Sequence, residues 1–395
     1  MAVRFMDKRE GIADFSLLGG PLHRLGSRAG LVRGATDTVP LGVVLGVLPW
    51  VVLVALALAE GFGHTLFSIG AIGAHVRLLA SIPLFFVCEA LVDPQFNAFV
   101  RGIVRSQVVP ETARPALESE VARIARWRDA WLPEALLLIA VVVTSWLAPG
   151  SNFFSQMAGV TDGSNPGDVG LTNWTSLWYW MVCMPLFRFL LLRWLWRVAL
   201  WCFFLWRVSK LDLRLEPTHP DRAGGLGYLE VVQGEFAPLV AALSAAQCAS
   251  LAQDIAVGRL TFDATYGSIA IILLVDAVLF VAPVCVFYRK LWRCKVDGLI
   301  NYGTLAERYV YEFDRKWVGP EAARGEQLLG TADIQSLADL GNSVAIVRDM
   351  RMVPVSTSLL ITLGGAAVMP LLPLVLFKYP LADLLGKFVE HLSGM

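Results

Sequence analysis

The sequence predicts an all-α, polytopic membrane protein with about seven transmembrane helices, and three observations carry that prediction. Of the 395 residues 56% are hydrophobic and only 17% are charged, against roughly a quarter charged in an ordinary soluble domain. The apolar residues gather in blocks of about 20, the length that crosses ~30 Å of hydrocarbon at about 1.5 Å per residue. Lysine and arginine, finally, crowd into alternate loops although the net charge is zero.

Residues 1–37 mix charges with glycine and proline, and the first apolar block starts only near Thr38. That is too late for a cleaved signal, so the first span is expected to stay in the mature protein. Residues 38–59 and 78–92 form the first two spans; the second is short and enters through Arg77. A stretch at 93–130 separates them from blocks at 131–148, 177–206, 236–255 and 268–287. The fifth block is rich in small and polar residues. A long polar segment, 288–355, precedes the last block at 356–377 and the tail to residue 395.

Orientation follows from the positive-inside bias. Residues 1–37, 93–130, 207–230 and 288–355 hold 26 lysines and arginines, whereas the opposite loops and the tail hold three. The N-terminus is therefore expected in the cytoplasm and the C-terminus outside, with a bacterial inner membrane as the expected location. Dropping the weak fifth block would strand a basic loop outside, which supports its existence.

Within the basic segments, residues 110–128 read as an amphipathic helix whose acidic end (Glu111, Glu118, Glu120) precedes its basic end (Arg123, Arg126, Arg128), the order a helix dipole favours. Residues 298–317 and 331–352 also carry helical periodicity. Two readings fit these helices: a small cytosolic layer, or helices lying on the lipid surface.

Ionisable residues inside apolar blocks are the first candidates for function, because each costs a few kcal/mol unless paired or wetted. Arg188 and Asp276 lie at similar depth in the fourth and sixth blocks, within roughly 5 Å along the normal, and an ion pair between them is expected. Such a pair either fixes helix packing or couples protons or ions. Arg193 and Arg197 follow Arg188 at spacings that exclude the single stripe of a voltage sensor. Snorkelling beside Trp194, Trp196 and Trp201 accounts for Arg197, with Glu89 available as a partner for either arginine.

On the fifth block Glu230, Gln233, Ala237, Ser244, Gln247 and Asp254 fall within an arc of about 120° at ~100° per residue. This stripe is either the wall of an aqueous path, carried by Gln233, Ser244, Gln247 and Asp254, or a close-packing face lubricated by the neighbouring alanines. Just before it, residues 217–228 place two prolines and three glycines around His219, Asp221 and Arg222. His219, Arg222, Gly224 and Gly225 at a helix N-terminus suit an anion or lipid headgroup; the alternative is a purely structural turn closed by Asp221. Prolines at 49, 83, 133, 185, 238, 283, 370 and 373 lie in or beside every span.

Absences narrow the choice. No lysine lies in the middle of a block, the five histidines lie outside the blocks, and the six cysteines form no CxxC pair. No HExxH or P-loop occurs, so neither a cofactor nor a metal is expected, and the neutral net charge gives no pull toward nucleic acid. The favoured reading is a transport protein, an ion channel or a small-solute transporter. Its expected partners are membrane lipids, a small ion or solute and further copies of itself, since one polar stripe per chain is too little to enclose a pore. A membrane-embedded sensor with output through the cytosolic helices is the alternative, and an enzyme handling a lipid or phosphorylated substrate at the 219–227 turn stands third.

Overall fold

A computed structural model describes residues 15–32, 37–147, 174–319 and 331–378. Its described residues fold into eleven principal helices: α1 (Gly20–Arg28), α2 (Val39–Ala59), α3 (Ile69–Arg105), α4 (Arg114–Asp129), α5 (Trp131–Leu147), α6 (Trp174–Val208), α7 (Tyr228–Ala256), α8 (Phe262–Phe280), α9 (Tyr288–Phe313), α10 (Ala332–Arg348) and α11 (Thr357–Phe377). Six of them, α2, α3, α6, α7, α8 and α11, are long and apolar enough to cross a membrane. Each overlaps one of the predicted blocks, and the sixth block, 268–287, runs past the end of α8 into the turns at Ala282–Phe287. The third block falls on α5, which is apolar but shorter, and the loop that follows it lies outside the described residues. The protein is a helical, multi-pass membrane protein.

Proline shapes these helices locally. A proline ring collides with the carbonyl four residues back and removes one hydrogen bond. Pro83 and Pro185 would meet the carbonyls of Leu79 and Met181, and both of those residues sit in wide π-turns, Val76–Ser81 in α3 and Tyr179–Cys183 in α6. The wider turn moves the offending carbonyl aside, and both helices continue beyond the proline. Near Pro283, Pro370 and Pro373 the chain tightens instead into 3-10 turns, Ala282–Phe287 and Met369–Phe377.

Burial divides the spans into inner and outer members. In α7 61% of the most apolar window is buried, against 11% in α8. Leu48 and Leu58 on α2, Ile139 on α5, Ile271 and Leu274 on α8, and Ile361 on α11 face outward, as apolar side chains in lipid do. Behind them runs an aromatic core in which Trp201 meets Phe96, Phe99 and Phe204. The helix α7 starts at Tyr228, two turns before the predicted block, and is interrupted at Glu235 and Phe236.

Polar contacts tie the helix ends. Glu60, just past α2, accepts from the backbone N–H groups of Trp174 and Thr175 at 2.7 and 3.1 Å and so caps the start of α6. At the opposite end of α6, Arg207 pairs with Glu120 of α4 at 2.6 Å. The amphipathic reading of α4 is realised through Leu117, Val121 and Ile124, all buried. The helices α9 and α10 pack on each other as an antiparallel hairpin, in which Tyr309 and Trp317 of one arm bond to Asp333 at the start of the other.

Candidate functional site

Helical spacing alone creates the first ingredient of a buried polar site. Glu89 and Asp93 are four residues apart on α3, and Arg193 and Arg197 are four apart on α6, so each pair occupies a single face of its helix. The packing turns these faces toward each other. Arg197 Nη1 lies 2.9 Å from Glu89 Oε2, and Arg193 lies 3.4 Å from the same carboxylate. Arg193 Nε also reaches Glu134 Oε1, in the first turn of α5, at 3.1 Å. All five side chains are buried. Isolated charges at such a place would cost several kcal/mol each, and mutual pairing with further hydrogen bonds is what makes them tolerable.

The remaining valences are met by the chain's N-terminal segment, which folds back over the cluster as a strap. Asp93 Oδ1 accepts from the Ser16 hydroxyl at 2.7 Å and from the Leu17 and Leu18 N–H groups at 2.9 and 3.2 Å. Leu22 N–H donates to Glu134 Oε2 at 3.2 Å, and Arg193 Nη2 donates to the Gly19 carbonyl at 3.3 Å. Arg128 holds the Ser16 carbonyl at 2.8 Å, and the Phe15 ring stacks on Phe204 at 4.3 Å. Gly20 has φ +86°, and a β-carbon there would collide with the Glu134 carboxylate. Only glycine fits this close approach without strain.

A cavity lies between strap and cluster, walled by Leu17, Leu18, Glu89, Asp93, Trp194 and Arg197 among others. The Nε2 of His23, in the strap, is buried and has no partner among the described residues. Burial, first of all, holds its pKa below the ordinary value of 6.5, with Arg197 and Arg193 adding to the effect and Glu89 opposing it. Three acidic side chains, Glu89, Asp93 and Glu134, thus meet two guanidinium groups, Arg193 and Arg197, beneath the strap.

A second polar knot joins the two π-turns. Arg77 donates to the Tyr179 hydroxyl at 2.8 Å and to Ser250 Oγ on α7 at 2.7 Å. Two irregular turns and the central helix thus meet at one buried guanidinium.

The sequence-predicted residues are placed as follows. Asp276 accepts from Ser244 of α7 at 3.4 Å, and no ion pair joins it to Arg188, which is buried within α6. Similar depth fixes only one coordinate of three, and α8 presents Asp276 to α7. Snorkelling does not describe Arg197: its head is buried on Glu89, 5.7 Å from the Trp194 ring centroid. The interruption at Glu235 and Phe236 separates Glu230 and Gln233 from Ser244, Gln247 and Asp254, which share the uninterrupted stretch Ala237–Ala256. Glu230 pairs with Arg351 at 2.8 Å, Ser244 reaches α8, and Asp254 pairs with Arg259 at 3.2 Å. Gln247 is half-buried, while Gln233 is buried and, among the described residues, neither end of its side-chain amide is bonded.

In the 219–227 turn the N–H groups of Ala223, Gly225 and Gly227 donate to the Asp221 carboxylate at 2.8, 3.2 and 2.7 Å, and His219 Nδ1 lies 2.8 Å from it. The protein's own carboxylate therefore occupies the position that an external anion would take. Arg222 has φ +54° and gives its carbonyl to the Arg351 N–H, and Gly224 and Gly225 also have positive φ. Burial pushes the Asp221 pKa up, but the three N–H donors and His219 bring it below the ordinary value.

Sequence reasoning named Glu89, Arg193 and Arg197 but not Asp93 or Glu134. The usable signal was the matched spacing of two acids on one helix and two arginines on another. The chain matches no protein-family model, no curated protein and no solved structure.

Proposed function

We propose that this protein is a membrane transport protein, an ion channel or small-solute transporter, with α7 lining the path and the chain working as a homo-oligomer. In this reading the membrane is crossed seven times, α5 included, with the N-terminus in the cytoplasm and the C-terminus outside. One observation carries it: Gln233 lies in the most buried of the six spans, and among the described residues neither end of its amide is bonded. A buried polar group without a partner costs about 1–3 kcal/mol, and in a membrane helix it looks to water or a solute for compensation. Along the same helix Ser244, Ser250 and Asp254 supply further polar groups toward the opposite end.

The test is flux of small ions and solutes through protein reconstituted in liposomes. Ser244→Leu is expected to block flux while the protein stays folded, because an apolar side chain in a narrow wet path favours dewetting. Absence of any flux from the native protein, or unchanged flux in Ser244→Leu and Gln233→Leu, ends the reading. A sensor is the second reading, and it is favoured by the α9–α10 hairpin, whose exposed arms suit the delivery of an output.

A further inference from the structure

We infer that Asp276 is a proton-binding site on the path along α7. The inference rests on the transport reading above and names the proton as the ion whose binding controls that path. Nearly the whole of α8 looks outward: Ile271, Leu274 and Val278 are exposed, and only Thr265, Asp276 and Phe280 are buried. The helix thus shows apolar side chains to lipid and turns the Asp276 carboxyl, 7% exposed, toward α7.

The surroundings of that carboxyl supply no cation. The helix α8 packs on α7, on α11 and on the turns at Ala282–Phe287. No lysine, arginine or histidine occurs in α8, in Ala237–Ala256 of α7, in α11 or in those turns. Their other titratable groups are few. Asp263 pairs with Lys378 and Asp254 with Arg259. Tyr266 packs edge-on against Phe262, and Cys248 and Cys285 are free thiols. On the first stretch of α7, Tyr228 bonds to Gln95 and Glu230 pairs with Arg351, while Glu235 lies at the break. Among the described residues the polar partner of Asp276 is the Ser244 hydroxyl, which donates at 3.4 Å. One neutral hydrogen bond returns far less than it costs to hold a charge in hydrocarbon without a counter-ion, so an acid in this place keeps a proton.

A route for that proton is built on one side only. A hydroxyl both donates and accepts, so Ser244 can pass a proton between Asp276 and α7. Gln247 follows one turn further along the same uninterrupted stretch. On the other side the Phe236 and Phe280 rings meet at 5.4 Å, and Phe236 is also a wall of the cavity beside Glu89. The rings stand between Asp276 and the charged cluster. Loading forms the O–H bond of the acid from a proton carried by water. Release breaks that bond, returns the proton to water and leaves a carboxylate that is costly until α7 and α8 shift to wet it. Proton binding and helix movement are thereby linked, and the slender contact of α8 makes the movement easy.

The ligand is the proton, and deuterium is the probe, applied to the full chain in nanodiscs. The infrared difference between native protein and Asp276→Asn at neutral pH is expected to show the C=O stretch of a protonated acid, which moves to lower frequency in deuterium oxide. Ser244→Ala removes the hydrogen bond and is expected to move the same band to higher frequency, a readout that stands even if Asp276→Asn does not fold. In liposomes Asp276→Asn, which cannot release a proton, is expected to lose flux, and Asp276→Glu to keep it with a displaced pH profile. A difference spectrum containing only ionised carboxylate, or a protonated band that deuterium never reaches, overturns the proton site and leaves transport standing on its own flux. Native-level flux in Asp276→Asn does the same. Absence of flux from the native protein ends the transport reading and removes Asp276 from any path, even with the protonated band in place.

Discussion

Arg197 and Glu89 form an ion pair at 2.9 Å with both side chains almost wholly removed from solvent. Arg193 shares the same carboxylate but has Glu134 as a second partner. The two arginines therefore depend on Glu89 unequally, and this asymmetry makes the cluster testable.

Glu89→Gln leaves Arg197 buried without its carboxylate, and a loss of about 3–5 kcal/mol in unfolding free energy is expected. Adding Arg197→Gln removes the orphaned charge and leaves the Arg193–Glu134 pair intact. The double variant is expected to unfold at a higher temperature in detergent than Glu89→Gln alone. Losses that simply add would show that the pair is open in solution.

Gly20→Ala places a methyl group against the Glu134 carboxylate at a positive φ. The strap is expected to lift, because its alternative is strain of about 1–3 kcal/mol. Hydrogen exchange reads this directly, as faster exchange at Leu17, Leu18 and Leu22, whose N–H groups hold the cluster. Gly102→Ala, which adds a methyl group into open space within α3, is the control and leaves exchange in the strap unchanged. Equal protection in Gly20→Ala would mean that the strap is not docked.

How much of this was legible beforehand follows from which physical signal each part rests on. Every predicted apolar block lies on a helix because membrane spans write themselves into composition over some 20 residues. The cluster does not. Its formation depends on which azimuth each helix presents, and hydropathy says nothing about azimuth, so Arg188 and Asp276 at similar depth looked as suitable as Arg197 and Glu89. Asp93 and Glu134 sit within a turn of where their blocks end or begin, among loop charges that a count of lysine and arginine passes over. The strap reads as a mixed glycine- and proline-bearing tail until the carboxylates it caps are in view.

Acid is expected to loosen the strap. His23 in the docked strap has a pKa below 6.5, so the undocked state binds more protons as the pH falls through 6.5, and docking loses free energy below that pH. Exchange at Leu17 and Leu18 should speed up between neutral pH and the docked pKa, once corrected for intrinsic rates. His23→Gln, which carries no titrating ring, should flatten that dependence. Unchanged pH dependence in the variant would remove His23 from the account.

Asp221→Ala orphans three backbone N–H donors at once, and a stability loss of at least ~2 kcal/mol is expected from unmet donors alone. Because the folded-state pKa is below 3.8, the stability that Asp221 contributes is present above that value and fades as the pH falls through the folded pKa. If instead inorganic phosphate restores the thermal stability of Asp221→Ala, the turn can take an external anion in place of its own carboxylate.

The last prediction concerns Asp276, whose hydrogen-bond partner is the Ser244 hydroxyl at 3.4 Å. Asp276→Asn replaces the carboxylate by a neutral amide of nearly the same shape, whose oxygen still accepts from Ser244. With no arginine released by the change, the stability loss is expected to stay below about 1 kcal/mol, within the range of a single neutral hydrogen bond. Arg188→Gln should add its own effect independently, since additivity holds for groups that share no contact. The measurement is the unfolding midpoint of each single variant and the double in one detergent. A large loss in Asp276→Asn that Arg188→Gln repairs would restore the intramembrane ion pair and require α6 and α8 to approach each other. Flux gives the second axis. If Asp276→Asn keeps its fold but loses transport in liposomes, the Ser244–Asp276 contact belongs to the path along α7. If both fold and flux survive, the contact only packs α8 against the central helix.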